Sequence, residues 1–239
     1  MKRWAVRGLI LLLVLAGLVI WGLRTFQSKM SEDPAFWEWA IVDFEEADAL
    51  RPPAPGGIVF VGSSSIAFWT GLADDMAPLP VIQRGFGGAH MAHVLHNVHR
   101  VVTPYSPRAV VVYAGDNDLA PMTGKNGERV LAEYRSVVEE IHDQLPDACI
   151  YFIAIKPSVR RWDRWPEMLR VNDAVKALSE QDPRLGFFDI ASPMLGEDGK
   201  PRDELFAFDG LHLNLEGYRV WSEVILPGLQ GAGCYRDSS

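Results

Sequence analysis

Ala109-Val110-Val111-Val112-Tyr113-Ala114-Gly115-Asp116-Asn117-Asp118 is the stretch from which the fold can be read. Its first six residues are apolar almost without a break and rich in β-branched side chains. A strand with one solvated face alternates apolar and polar residues. A strand that is apolar throughout is covered on both faces, as in a parallel sheet with helices above and below. Residues 150–155 (IYFIAI) read the same way. Working outward, residues 58–61 (IVFV) form a first strand, Val81-Ile82 starts a second, and residues 186–190 (GFFDI) form a fifth. Helical spacing of apolar residues appears near 36–50, 65–72, 91–102, 127–145 and 166–181, with a last helix over 215–229. The β-α alternation predicts a doubly wound α/β domain, a three-layer α/β/α sandwich on a flavodoxin-like five-stranded parallel sheet.

In such a sheet, ligands bind beyond the carboxyl ends of the strands, where the strand order reverses. Gly62-Ser63-Ser64-Ser65 follows strand one, Gly85-Phe86-Gly87-Gly88 strand two, and Gly115-Asp116-Asn117-Asp118 strand three. A 2-1-3-4-5 order makes these strands neighbours, so a hydroxyl, a glycine-rich backbone and a side-chain amide would meet. A serine hydroxyl is a poor nucleophile until a base takes its proton. Phe208-Asp209-Gly210-Leu211-His212 supplies a base, with a carboxylate three residues before the imidazole to hold its Nδ1–H. It sits in a long segment, 191–214, without evident secondary structure, and such loops are uncommon unless functional. Taken singly, each motif has a plainer reading as a helix cap or a tight turn. Their joint occurrence, in order and at strand ends, points to nucleophilic catalysis.

Together these four blocks resemble the SGNH/GDSL hydrolases. Gly62-Ser63-Ser64 is similar to the first block, usually Gly-Asp-Ser; 83–88 (QRGFGG) to the second; Gly115-Asp116-Asn117-Asp118 to the third; and Asp209-Gly210-Leu211-His212 to the Asp-x-x-His block. The departures are Ser63 for Asp and Gln83 for Asn. Ser64 stands two residues after Gly62, as the motif requires, which selects it over Ser63 and Ser65. The resemblance covers about residues 57–230. It implies an ester hydrolase with the triad Ser64, Asp209 and His212, and an oxyanion hole made of the Ser64 and Gly88 amides and the Asn117 side chain. It implies no metal and no cofactor. The alternatives are an acyltransferase acting on a cell-envelope sugar and a non-catalytic binding module that keeps the fold.

Two features lie outside the blocks. His90, His93, His96 and His99 recur every third residue, but steps of three turn a helix by about 300° each, so the four cannot converge on one metal. His90, directly after the glycine loop, is expected to line the pocket entrance. Residues 156–165 (KPSVRRWDRW) follow strand four and would wall the site, with Trp162 the candidate substrate contact.

The 239 residues suit one domain plus an appendage, and 48% apolar content gives a sizeable core. A net charge of −8, with no basic stripe interleaved with aromatics, argues against a nucleic-acid partner. Residues 1–29 read as a separate unit from the hydrolase domain, 30–239. Lys2, Arg3 and Arg7 precede residues 8–23, a run without charge, and no small-residue cleavage site follows. That pattern predicts an uncleaved signal anchor, with a cleaved signal peptide as the other reading, and a catalytic domain outside the cytoplasm of a bacterial cell. Cys149 and Cys234, far apart and without metal-ligand spacing, read as two unrelated buried thiols, with a disulfide between them the alternative in that compartment.

Overall fold

The computed structural model describes residues 12–23, 25–26, 33–121 and 123–231. Five strands, β1 (Ile58–Gly62), β2 (Val81–Gly85), β3 (Ala109–Tyr113), β4 (Cys149–Ile153) and β5 (Leu185–Phe188), form one sheet in the order β2-β1-β3-β4-β5. Every pairing is parallel. The order reverses at β1 and β3, so the carboxyl ends of β1, β2 and β3 adjoin, as expected. β1, β3 and β4 are buried at every position, which is why their sequences lack alternation.

The helices of the domain are α1 (Glu38–Leu50), α2 (Ser64–Ala67), α3 (Leu72–Asp75), α4 (Met91–Val101), α5 (Gly127–Gln144), α6 (Trp165–Ser179) and α7 (Leu215–Gly231). Strand side chains alternate between two cores. Val59, Val61, Val110, Val112 and Phe152 face α1, α4, α5 and α6. Phe60, Val111, Tyr113 and Ile153 face α2, α3 and α7, where Trp69 and Trp221 are the bulkiest buried side chains.

One expected helix is two. The 65–72 pattern divides into α2 and α3, because Trp69 turns into the core against Phe60, Tyr218 and Trp221. Its indole N–H donates to Asp75 Oδ2, 2.6 Å away. The carbonyls of Ile66 and Trp69, which take backbone N–H groups only from three residues on (Trp69 and Leu72, both at 3.1 Å), also accept from Gln83 Nε2 at 2.5 and 3.0 Å. Gln83, a departure from the family pattern, thus ties β2 to the end of α2.

The 191–214 segment is packed rather than loose. It holds two 3₁₀ turns, Ser192–Met194 and Asp203–Leu205, and two isolated antiparallel bridges, Leu195 to Pro201 and Phe206 to Leu213. Met194, Leu205, Phe206 and Leu213 are buried in the second core.

Residues 12–23 are helical and expose their apolar side chains. Among the described residues no helix is long and apolar enough to cross a membrane. The first part of the expected span, residues 8–11, lies outside the described residues, as does Cys234. The chain re-enters the domain through an aromatic run, Phe26 on Phe36, Phe36 on Trp37 and Trp37 on Trp39. The Asp33 carbonyl lies 3.1 Å from His93 Nε2 at the start of α4.

Candidate active site

β1 ends at Gly62, whose φ of +146° and crowding admit no side chain: a Cβ there would lie 1.9 Å from the Tyr113 carbonyl oxygen. This close passage lets the Ser63 N–H donate to the Tyr113 carbonyl at 2.9 Å. The chain then turns straight into α2 with Ser64 as its first residue. A residue at a helix N-terminus has an unused backbone N–H and sits in the positive end of the helix field, although one turn of helix provides little of that field.

His212 Nε2 lies 3.2 Å from Ser64 Oγ, and His212 Nδ1 lies 2.5 Å from Asp209 Oδ2. Asp209 Oδ1 also accepts the N–H groups of Leu211 and His212, both at 3.0 Å. Burial works against the Asp209 charge, but these two amides and the imidazole outweigh it and hold the carboxyl at about 2. Asp209 therefore stays ionised and keeps the Nδ1–H tautomer of His212, leaving Nε2 to accept from the serine. The turn is fixed from outside as well: Ala207 N–H donates to the His212 carbonyl, and Arg160 N–H, from the loop after β4, donates to the Gly210 carbonyl. The Phe68 ring packs 5.1 Å from the imidazole.

After β2 the chain reaches Gly88 in the left-handed region, φ +71°, at a half-buried position. Among the described residues, neither the Ser64 nor the Gly88 N–H has a hydrogen-bond acceptor. After β3, Asn117 Nδ2 donates to the Ala89 carbonyl at 3.1 Å, which brings the third block against the second. The three strand-end loops therefore do converge. The site offers a serine with an imidazole beside it, a carboxylate behind that imidazole, and three amide donors, the equipment for acyl transfer.

The family model described as GDSL-like lipase/acylhydrolase matches residues 60–220, from mid-β1 into α7. The chain belongs to the GDSL-like lipase/acylhydrolase family. Solved structures of similar fold include a candidate platelet activating factor from Streptococcus pneumonia. It has 16% identity and a TM-score of 0.73, covering 90% of this chain and 99% of that one. A candidate acylhydrolase from Bacteroides fragilis has 24% identity and a TM-score of 0.68, over 80% and 97% of the two chains. A GDSL-like lipase from Bacteroides thetaiotaomicron has 20% identity and the same TM-score of 0.68, also over 80% and 97%. At these identities the likeness shows the fold. No curated protein matches the sequence.

This member of the acylhydrolase family also carries charges under the site that its motifs do not announce. Lys156, 1% exposed, follows β4 and donates to Asp116 Oδ2 at 2.8 Å, Tyr113 Oη at 3.0 Å and Ser65 Oγ at 3.1 Å. Burial pushes the Asp116 carboxyl up, but Lys156 and Arg161 together more than reverse this and hold it at about 2. Burial, and then Asp116, raise the Tyr113 hydroxyl well above its usual range. The available signal was a lysine placed directly after an all-apolar strand, at the end of the sheet where ligands bind.

His90 departs from expectation. It is 1% exposed, at the start of α4, where its N–H donates to His93 Nδ1 and its ring stands 5.3 Å from that of His93. Its Nδ1 stands 3.5 Å from Asp118 Oδ1, and it presents no surface to a substrate. His96 and His99 are exposed farther along α4. Trp162 is half-buried in the expected loop and stacks on Trp165, centroids 6.0 Å apart.

Proposed function

We propose that the protein is a serine ester hydrolase that forms an acyl-enzyme on Ser64. The observation carrying this reading is the unbroken contact from Ser64 Oγ through His212 to Asp209, at 3.2 and 2.5 Å. His212 Nε2 takes the hydroxyl proton as Oγ attacks the ester carbonyl. The negative oxygen of the tetrahedral adduct is received by the N–H groups of Ser64 and Gly88 and by Asn117 Nδ2. Protonated His212 gives its proton to the leaving alcohol. Water, deprotonated by His212, then attacks the acyl-enzyme, and the proton returns to Ser64 as the acid leaves.

Apolar side chains ring this chemistry. Phe68 and Leu215 are exposed and Phe208 is fully exposed. Next to Phe68 and Leu213, a groove of about 490 Å³ is lined by apolar Trp69, Leu215 and Tyr218 on one part and by Thr70, Asp75, Asn214 and Arg219 on another. The exposed rings and Leu215 favour an ester with an apolar portion. Residues 8–23, apolar and preceded by three basic residues, favour attachment to a bacterial membrane with the domain outside the cytoplasm. Fractionation tests the attachment: full-length protein is expected with the membranes, and recovery of a shortened chain in the soluble periplasmic fraction would make the segment a cleaved signal.

The functional test is hydrolysis of p-nitrophenyl acetate, butyrate and octanoate by the full-length protein, with Ser64→Ala as control. Turnover by the wild type and its absence in Ser64→Ala is expected. Equal turnover by both would refute the reading.

A further inference from the structure

An oxyanion hole that includes an asparagine has a weakness in its symmetry. The two ends of the amide have nearly the same shape, and a half-turn of the group would present Oδ1, not Nδ2, to a developing negative charge. Nδ2 would then be replaced by a repelling lone pair. Something must hold the amide one way round. Here one end is set by the Ala89 carbonyl, which takes one of the two Nδ2 protons at 3.1 Å and leaves the other for the oxyanion. The other end is set by Arg161, whose Nη2 donates to Asn117 Oδ1 at 3.0 Å.

We propose that Arg161 is a positioning residue for this hydrolase: its guanidinium holds the Asn117 amide with Nδ2 toward the reacting carbonyl, while the guanidinium itself is held by Asp116. The proposal rests on the reading that Asn117 receives the oxyanion.

The surroundings of Arg161 support a fixed role. Its side chain is 13% exposed, and Nη1 stands 3.3 Å from Asp116 Oδ2, a charge contact outside hydrogen-bond alignment. Asp116 is in turn bonded by buried Lys156, which reaches Ser65 Oγ, one residue beyond the nucleophile. The Ser65 carbonyl accepts from Tyr218 Oη at 3.0 Å. The nucleophile's turn and the oxyanion donor are thus joined in one run of hydrogen bonds and charge contacts, Ser65 to Lys156 to Asp116 to Arg161 to Asn117 to Ala89. The positively charged guanidinium donating to the amide oxygen also polarises the amide, which makes its free N–H a stronger donor. A neutral donor in place of Arg161 would hold the orientation less firmly and supply no such polarisation.

The test compares full-length wild type with Asn117→Ala, Arg161→Ala, Arg161→Lys and the double variant Asn117→Ala/Arg161→Ala on p-nitrophenyl acetate. Turnover is counted per site titrated by a fluorophosphonate, so misfolded protein is excluded from every value. Removing an oxyanion donor costs about 10²- to 10³-fold in kcat. Arg161→Ala is expected to lose about 10- to 100-fold in kcat with KM changed by about twofold or less, and Arg161→Lys to recover part of the loss. In the double variant the Arg161 change is expected to cost nothing beyond Asn117→Ala, because its effect passes through that amide. An Arg161→Ala enzyme with wild-type kcat would overturn the proposal. So would an equal Arg161 penalty with and without Asn117, or a loss seen only as raised KM for an anionic ester such as a p-nitrophenyl succinate. If Asn117→Ala itself keeps full kcat, the oxyanion reading fails and the proposal falls with it. If Asn117→Ala is impaired and Arg161→Ala is not, only the proposal fails.

Discussion

Asp116 and Asp118 stand on either side of Asn117, both buried, each bonded to a lysine whose side chain is 1% exposed. Asp118 faces the α4 side. Its two oxygens accept the Met91 N–H at 3.1 and 3.2 Å, and Lys125 Nζ reaches it at 2.9 Å while also contacting Glu133. Asp116 faces the nucleophile. Its bonding partners are cations, Lys156 and Arg161, and its Oδ1 is buried without a hydrogen bond. An aspartate that accepts from the backbone at a helix start acts as a cap, and its value is registered in stability. One bonded only by side chains that also touch Ser65 and Asn117 transmits position to the reacting groups. The same residue type two positions apart thus holds the scaffold on one side and the chemistry on the other.

The largest expected effect sets the scale of the catalytic side. Ser64→Ala and His212→Ala each should lower turnover on the order of 10⁴-fold or more, with the double variant little worse than either. Thermal unfolding of all three should stay near that of the wild type. A double variant much slower than both singles would separate the two residues and break the comparison at its base.

The two lysines give the next contrast. Lys125→Met takes from buried Asp118 its lysine and leaves it the Met91 N–H and the His90 ring, and breaking a buried pair in this way costs about 3–5 kcal/mol. Lys156→Met leaves Asp116 facing Arg161, so its stability loss should be smaller, while its turnover should fall by about tenfold or more through Ser65 and Asn117. Urea unfolding and turnover per titrated site check both. A Lys156→Met protein that unfolds easily but turns over normally would reverse the assignment.

Acid sharpens the same division. Asp116 and Asp209 are both held at about 2, below the roughly 3.9 of an unfolded aspartate. The unfolded chain therefore takes up protons first, and their stabilisation, full above that range, is lost as pH falls toward 2. Asp116→Asn should flatten stability between about pH 4 and 2. His93 is a smaller case at milder pH. Burial, and then nearby His90, lower it to about 4 against a usual value near 6.5. The unfolded chain again protonates first, so stability should decline as pH drops from about 6.5 to 4. His93→Gln should remove that slope, and an unchanged slope would place the titrating group elsewhere.

What the sequence made legible follows from the physics of each element. β1, β3 and β4 were plain because burial on both faces leaves an unbroken apolar run. Ser64, Gly88, Asn117, Asp209 and His212, which the structure brings together at one end of the sheet, stood out in the sequence because local backbone geometry constrains their neighbours, most visibly at Gly62 and Gly88. The break between α2 and α3 was hidden, since Trp69 fits a helical period and only the Phe60–Tyr218–Trp221 pocket draws it inward. Lys156 and Arg161 fall in the segment expected to wall the site, but their contacts with Asp116 were not legible, because that residue lies 40 and 45 positions away in sequence. His90 was misplaced for a related reason. Proximity to Gly88 in sequence suggested the pocket, but its backbone bond to His93 turns the residue toward the core.

The most direct measurement is the position of a covalent adduct. Full-length protein treated with a fluorophosphonate, digested and read by mass spectrometry, should carry the label on Ser64, with the rate of labelling reduced on the order of 10³-fold or more in His212→Ala. Label on Ser63 or Ser65, or equally rapid labelling without His212, would contradict the account of Ser64 as a nucleophile served by His212 and Asp209.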